Sequence, residues 1–301
     1  MKFPSDATSV GGFQYSSSLN SVILPDSVTT INSQAFLDSS LSSITMPANS
    51  VITISDQAFS GCDNLASIQL PQSLESIGDY AFANCTSLNK IIIPDGVYTI
   101  GASAFNSCSN LASIYVGASV NSIGNKPFNG QVKIAVSPLN ETYDSRNDCG
   151  AVIHTSTNKL VCGTARSIIP DGVVSIGQNA FNREYDLTSI VIPDSVKTIE
   201  FGAFAYCNKV THLDLGSVVT LRSTAFDGLS SLNEIEIPDS VTTIEQSAFG
   251  GCGTVNTVTV GKNYKSNGMG IHIFMNTTIN TLKWNATNFG NIASTMYSPL
   301  Y

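Results

Sequence analysis

Seven cysteines, three histidines and a scatter of carboxylates are the side chains through which this 301-residue chain could do thiol, metal or acid–base chemistry. His154, His212 and His272 stand far apart, and none lies in a metal-protease, nucleophile or phosphate-loop spacing. Serine is abundant, but a hydroxyl becomes a nucleophile only beside a base that takes its proton. Asp144-Ser-Arg-Asn-Asp148 places oxygens at loop spacing without the alternation and following Gly of a calcium loop. No catalytic residue, no cofactor and no metal site is therefore expected. The cysteines behave differently. Cys62, Cys85, Cys108, Cys207 and Cys252 share one position in a longer pattern, while Cys149 and Cys162 fall outside it.

That pattern is set by phenylalanine. Phe36, Phe59, Phe82, Phe105, Phe128, Phe181, Phe204, Phe226 and Phe249 recur in one frame, nine of the 14 in the chain. A fixed period in this range marks stacked repeats, each burying its apolar face only against its neighbours. Counting the leading Leu as zero, the unit reads L-x-x-I-x-[LI]-P-x-x-V-x-x-I-x-x-x-A-F-x-x-C, as in Leu88, Ile91, Ile93-Pro94, Val97, Ile100, Ala104-Phe105 and Cys108. Units begin at Leu19, Leu41, Leu65, Leu88, Leu111, Thr164, Leu187, Val210, Leu232 and Val255. The one at Leu41 has an extra residue before Val51, and the one at Val210 is one short.

Each mark has a physical task. Ile at +3 and Leu or Ile at +5 alternate with polar residues, the period of a strand with one buried face. Pro at +6 has no N–H to give, so the ladder ends there and the chain turns. Val at +9 and Ile at +12 predict a second short extended segment. Ala-Phe at +16 and +17 predicts a short helical turn, with the Phe filling the coil centre. Cys at +20 closes the coil as a small apolar filler and weak donor. Cysteines at equivalent points of adjacent coils would stand about 5 Å apart, within reach of a disulfide. The odd count, with Ser39 and Leu229 at the same position, argues for free thiols.

The combination L-x-x-I-x-L-P, V-x-x-I and A-F-x-x-C, over about residues 19–130 and 164–255, resembles the BspA-type leucine-rich repeat family of surface proteins. The resemblance implies a β-rich leucine-rich-repeat solenoid, a right-handed superhelix of coils of about 23 residues with short strands and short helical turns. It also implies a non-enzymatic secreted or cell-surface protein that adheres to protein or glycan, for example host matrix proteins. A structural stalk presenting another adhesive module is the rival reading, and a carbohydrate-active enzyme module the remotest. One array over 1–301 is expected, with a degenerate first repeat over 1–18 and degenerate repeats or a cap over 262–301.

Composition fits that expectation. Only 12% of residues are charged and the net charge is −8, so no Lys/Arg cluster is available to neutralise phosphates or anionic lipid. No nucleic acid partner is expected, nor direct membrane insertion, since no apolar run is long enough to span a bilayer. An extracellular monomer is expected, its export signal and neighbouring repeats lying outside this stretch of chain. The sequons at Asn140, Asn276 and Asn285 are those that an Asn- and Thr-rich chain carries by chance.

The period breaks between Leu111 and Thr164. Val132–Val136 still alternates as a coil strand, Pro138 to Gly150 is rich in turn formers, and Ala151–Ile153 and Leu160–Cys162 flank a polar turn. An enlarged coil with a β-hairpin insertion is therefore expected over 131–163. Outward positions +2 and +4 of the first strand should form the open face. There Ile92 and Tyr115, with Lys90 beside them, break a Ser/Thr background, and His212, Asp214, Glu234 and Glu236 predict a two-by-two patch. These seven are the candidate partner contacts. Strand propensity and lateral packing are the favoured account of the first group, and a solvated face of the second. Asp214 directly beside Glu236 would be unfavourable without a cation or basic partner.

Overall fold

The computed structural model describes residues 3–265 and 272–287. Two compact units emerge: one runs to Ser156 and takes in Cys162–Ser167, the other comprises Thr157–Val161 and the chain from Ile168. Each is a β-solenoid in which one repeat makes one coil.

The most regular ladder is built from the Thr-Ile or Ser-Ile pair at +11 and +12. In the first unit Ser9–Val10, Thr30–Ile31, Thr53–Ile54, Ser76–Ile77, Thr99–Ile100 and Ser122–Ile123 pair in parallel, in sequence order. In the second, Ser175–Ile176, Thr198–Ile199, Thr220–Leu221 and Thr243–Ile244 do the same. A two-residue strand has no stability of its own; the buried Ile of each coil is held by the coils on either side. The Pro at +6 acts as expected. Its carbonyl accepts the amide three residues on, as from Val97 to Pro94 at 3.2 Å, and turns the chain toward the second segment.

The expected helical turn at Ala-Phe is not one. Overlapping tight turns take its place: Ala35, Leu37 and Ser39 each donate to the carbonyl three residues back. The residues at +15 and +19, Gln34 (φ 57°) and Asp38 (φ 51°), lie in the left-handed region. That geometry flattens the segment, so alternate amides point along the stack. Gln34, Phe36 and Asp38 donate to Asp56, Ala58 and Ser60 of the next coil at 2.8–3.0 Å. A helix would have spent those amides within its own coil. The helical element among the described residues is a single 3-10 turn, Arg146–Asp148.

Phenylalanine fills the centre of both units. In the first, Phe59, Phe82 and Phe105 stack with centroids 5.1 and 5.2 Å apart and planes within 7°; in the second, Phe181, Phe204, Phe226 and Phe249 stack at 4.9–5.4 Å. All nine predicted rings are fully buried. The stacks run further than the motif does. Phe13 joins Phe36 at 5.5 Å and Phe274 joins Phe249 at 5.8 Å, so coils without a readable motif still supply the central ring.

Close approach between coils explains the Gly after the second strand. A Cβ on Gly101 would stand 2.4 Å from the carbonyl carbon of Gly78 and 2.5 Å from the amide nitrogen of Asp79. Backbone cannot yield as a side-chain tip does, so Gly101→Ala should destabilise the first unit by about 1–3 kcal/mol or more. Denaturant unfolding would register the loss, and a midpoint equal to the parent protein's would contradict the packing described.

The first-strand ladder is interrupted where the second is not. Ser21–Ile23 pairs with Ser43–Thr45, and Ser113–Val116 pairs with Lys90–Ile92 on one side and Lys133–Val136 on the other. Between them, the coil at Leu65 forms no strand at +2 to +4. In the second unit Ser189–Val191 pairs with His212–Asp214, and Glu234–Ile237 begins a separate sheet with Gly253–Val260 and Thr277–Trp284. Both breaks follow a coil of irregular length, the long one at Leu41 and the short one at Val210. The irregularity sits at the corner just after the first strand, so it displaces the next arrival at this ladder while the second ladder absorbs it.

The enlarged coil carries a strand that the turn-rich sequence concealed. Tyr143–Asp144 pairs antiparallel with Val152–His154. Buried Asn140 anchors the bend, its Nδ2 donating to the carbonyls of Gly117 and Val120 and its Oδ1 accepting from Thr142 and Tyr143, all at 2.8–2.9 Å. An amide engaged at both ends is closed to glycosylation in the folded state. Strands Val152–His154 and Lys159–Cys162 flank a turn at the expected hairpin positions.

Candidate functional site

Within the first unit the ladder brings the predicted residues together. Ile92 is the register partner of Tyr115, and Tyr115 of Ala135; in the next row Lys90, Ser113 and Lys133 are aligned. Alternation sends Ile91 and Ile114 into the core and leaves Ile92 outward at 53% exposure. Tyr115 is half-buried and Lys90 exposed. Lys133 is drawn to Asp148 at 2.6 Å, and Asp144 accepts both the backbone amide and the guanidinium of Arg146. Burial raises the Asp144 pKa, but the Arg146 hydrogen bonds outweigh it and hold the carboxyl below its ordinary value. The carboxylates of Asp144 and Asp148 are thus each engaged by a basic side chain.

In the second unit the acidic residues are exposed as expected but differently arranged. His212 aligns with Ser189 and Asp214 with Val191, whereas Glu234 aligns with Thr257 and Glu236 with Thr259. The ladder break separates the two strands into different sheets, so Asp214 and Glu236 are not the direct ladder partners the period predicts. Asp214 also accepts the amide of Gly216 at 2.9 Å, which relieves part of its charge locally. Among the described residues no group of three or more His, Cys, Asp or Glu could hold a metal ion.

The thiols form an interior column. Cys62, Cys85, Cys108 and Cys207 each donate Sγ–H to the carbonyl of the core Phe one coil earlier, at 3.0–3.1 Å, and Cys252 does so at 3.5 Å. All seven cysteines are free and buried. Burial pushes Cys62 up to about 11 and Cys108 and Cys252 up to about 12, with Cys85 also well above the usual thiol value. These are inert protonated donors, not nucleophiles. One coil departs from the rule in a way the sequence frame did not flag: Glu184 occupies the +20 position and is fully buried.

A family model describing the BspA type leucine rich repeat region matches residues 8–135 and 162–298, in six copies. The chain belongs to the BspA-type leucine-rich repeat family. The match reaches past the readable motif at both ends, as the Phe13 and Phe274 rings do. Among solved structures, the pneumococcal vaccine antigen PcpA is 24% identical over 93% of this chain and 72% of its own, with a TM-score of 0.77. A leucine rich cell surface protein from Faecalibacterium prausnitzii A2-165 is 25% identical over 97% of this chain and 87% of its own, with a TM-score of 0.64. No curated protein matches the chain. In this BspA-type array the motif residues are thus the interior: strand Ile, turn Ala, core Phe and closing Cys. The outward residues between them differ from coil to coil.

Proposed function

We propose that this BspA-type chain is a non-enzymatic binding module displayed outside the cell, recognising a protein ligand through the open strand face of its first unit. The observation that carries the reading is the outward row of exposed Ile92 and half-buried Tyr115 on a three-strand ladder, flanked by Lys90 and Ser113. An aromatic and aliphatic anchor with a polar rim is the composition of a protein contact. Display outside the cell is supported by the family and by the structural likeness to a cell surface protein.

Passing an extracellular-matrix extract over the immobilised chain and identifying what is retained tests the function. Ile92→Ser with Tyr115→Ser should then weaken capture at least about tenfold without changing the melting midpoint, because both side chains point away from the core. Charge reversal at Glu234 and Glu236 should slow association of a basic partner, with an effect that fades on adding salt. Retention of nothing from the extract would favour a structural stalk; unchanged affinity of the double variant would move the contact off this face.

A further inference from the structure

On the turn side of the second unit, away from the strand face, a cleft of about 440 Å³ opens, within the size range of small-molecule sites. Its walls come from the +19 column, two residues beyond each core Phe, where the backbone is left-handed in coil after coil. Elsewhere this position holds Gly61, Asn84, Ser107, Gly228 and Gly251, with Tyr15 (φ 59°) in the coil of Phe13; here two adjacent coils hold Arg183 (φ 58°) and Tyr206 (φ 62°) side by side. A tyrosine in a conformation that suits Gly or Asn costs stability, and such strain points to a use for the side chain.

The Tyr206 ring is fixed on its flanks. The Arg183 guanidinium carbon lies 5.6 Å from the ring centroid. On the next coil a Cβ at Gly228 would stand 2.7 Å from Tyr206 Cδ1, so the absent side chain is what lets the ring lie against the backbone there. The Asp227 carboxylate beside the hydroxyl raises its pKa above the ordinary value. Tyr206 is still 46% exposed, and Tyr185, Asn208 and Ser230 complete the cleft.

Charge and polarity select the ligand class. Arg183 beside the Tyr206 ring repels a cation, and Asp227 repels an anion. A purely apolar side chain would strip water from Asp227, Asn208 and Arg183 without replacing its hydrogen bonds. A neutral molecule with an apolar face and several hydroxyls satisfies all of them. We propose that this cleft binds the terminal one or two sugars of a neutral glycan, with the C–H face of a pyranose against tyrosine and its hydroxyls paired to Asp227 and Asn208. The site is independent of the strand face and its protein ligand.

The test is a microarray of neutral and charged oligosaccharides probed with the whole chain, followed by calorimetric titration of the best neutral glycan. At least one neutral glycan should be retained. Tyr206→Gly should weaken it at least about tenfold with an equal or higher melting midpoint, because the same turn already accepts glycine at Gly228 and Gly251. Asp227→Asn and Tyr185→Ser should each weaken it as well, whereas Ile92→Ser with Tyr115→Ser should leave it unchanged. No neutral glycan retained, or unaltered affinity in folded Tyr206→Gly, would overturn the assignment.

Discussion

Phe82→Ala should remove about 3–5 kcal/mol from the first unit, the range for truncating a buried aromatic side chain. Phe82 is fully buried and stacked between Phe59 and Phe105 at 5.1 and 5.2 Å, so the cavity would open at the centre of three coils. Because coils are stabilised by their neighbours, the loss should be local. Hydrogen exchange should accelerate between about residues 55 and 110, including the Phe59 amide that donates to Ala81 and the Phe82 amide that donates to Ala104. Exchange that is unchanged there, or raised equally throughout the chain, would contradict a stack of locally coupled coils.

Alkali should unfold the array through its thiols. Cys62 and Cys108 hold their protons to about 11 and 12 in the folded chain against 9.0 for an unperturbed thiol, mainly because burial disfavours the thiolate. Above about 9 the unfolded chain has released protons that the folded chain retains. The stabilisation is complete below that value and is lost as pH rises toward 11–12, by about 1.4 kcal/mol per pH unit for each such thiol. Urea unfolding at stepped pH should show the decline, and Cys85→Ala should flatten it after allowance for its lower starting stability. The same burial should make these thiols resist alkylation until denaturant is added. A flat pH dependence between 9 and 11, or rapid labelling of the native protein, would contradict the column of protonated donors.

The interior was legible because it repeats. The Ile at +3 and +12 and the Phe at +17 face inward in nearly every coil, and a residue that must fit between two copies of itself leaves a periodic mark. What the sequence concealed depends on geometry without such a mark. The Ala-Phe turn looked helical because small and aromatic residues at that spacing suit a helix. The left-handed backbone at Gln34 and Asp38 is invisible when polar residues larger than glycine adopt it. Tyr143–Asp144 escaped notice because a two-residue strand among turn formers has no period. The open face was half legible. Ile92 and Tyr115 meet as the frame requires, but one extra or missing residue at a corner decides whether neighbouring strands remain in one ladder, and so Asp214 and Glu236 are not ladder partners. Tyr206 and Arg183 carried a signal that could have been read: large side chains at +19 of two adjacent coils, where most others have Gly, Asn, Asp or Ser.

The unequal behaviour of the two ladders bears on how such proteins diversify. A single-residue insertion or deletion after the first strand re-tiles the outward surface into patches two or three strands wide, yet the Thr-Ile ladder and the aromatic centre keep their register through it. Length changes that would be ruinous in most sheets are here confined to the outward strand face. Lineages can therefore redraw the outward face by slippage at a corner codon, without first acquiring compensating changes in the core. Designers could use the same corner, redrawing the boundary of a binding patch by one residue while leaving the interior sequence untouched.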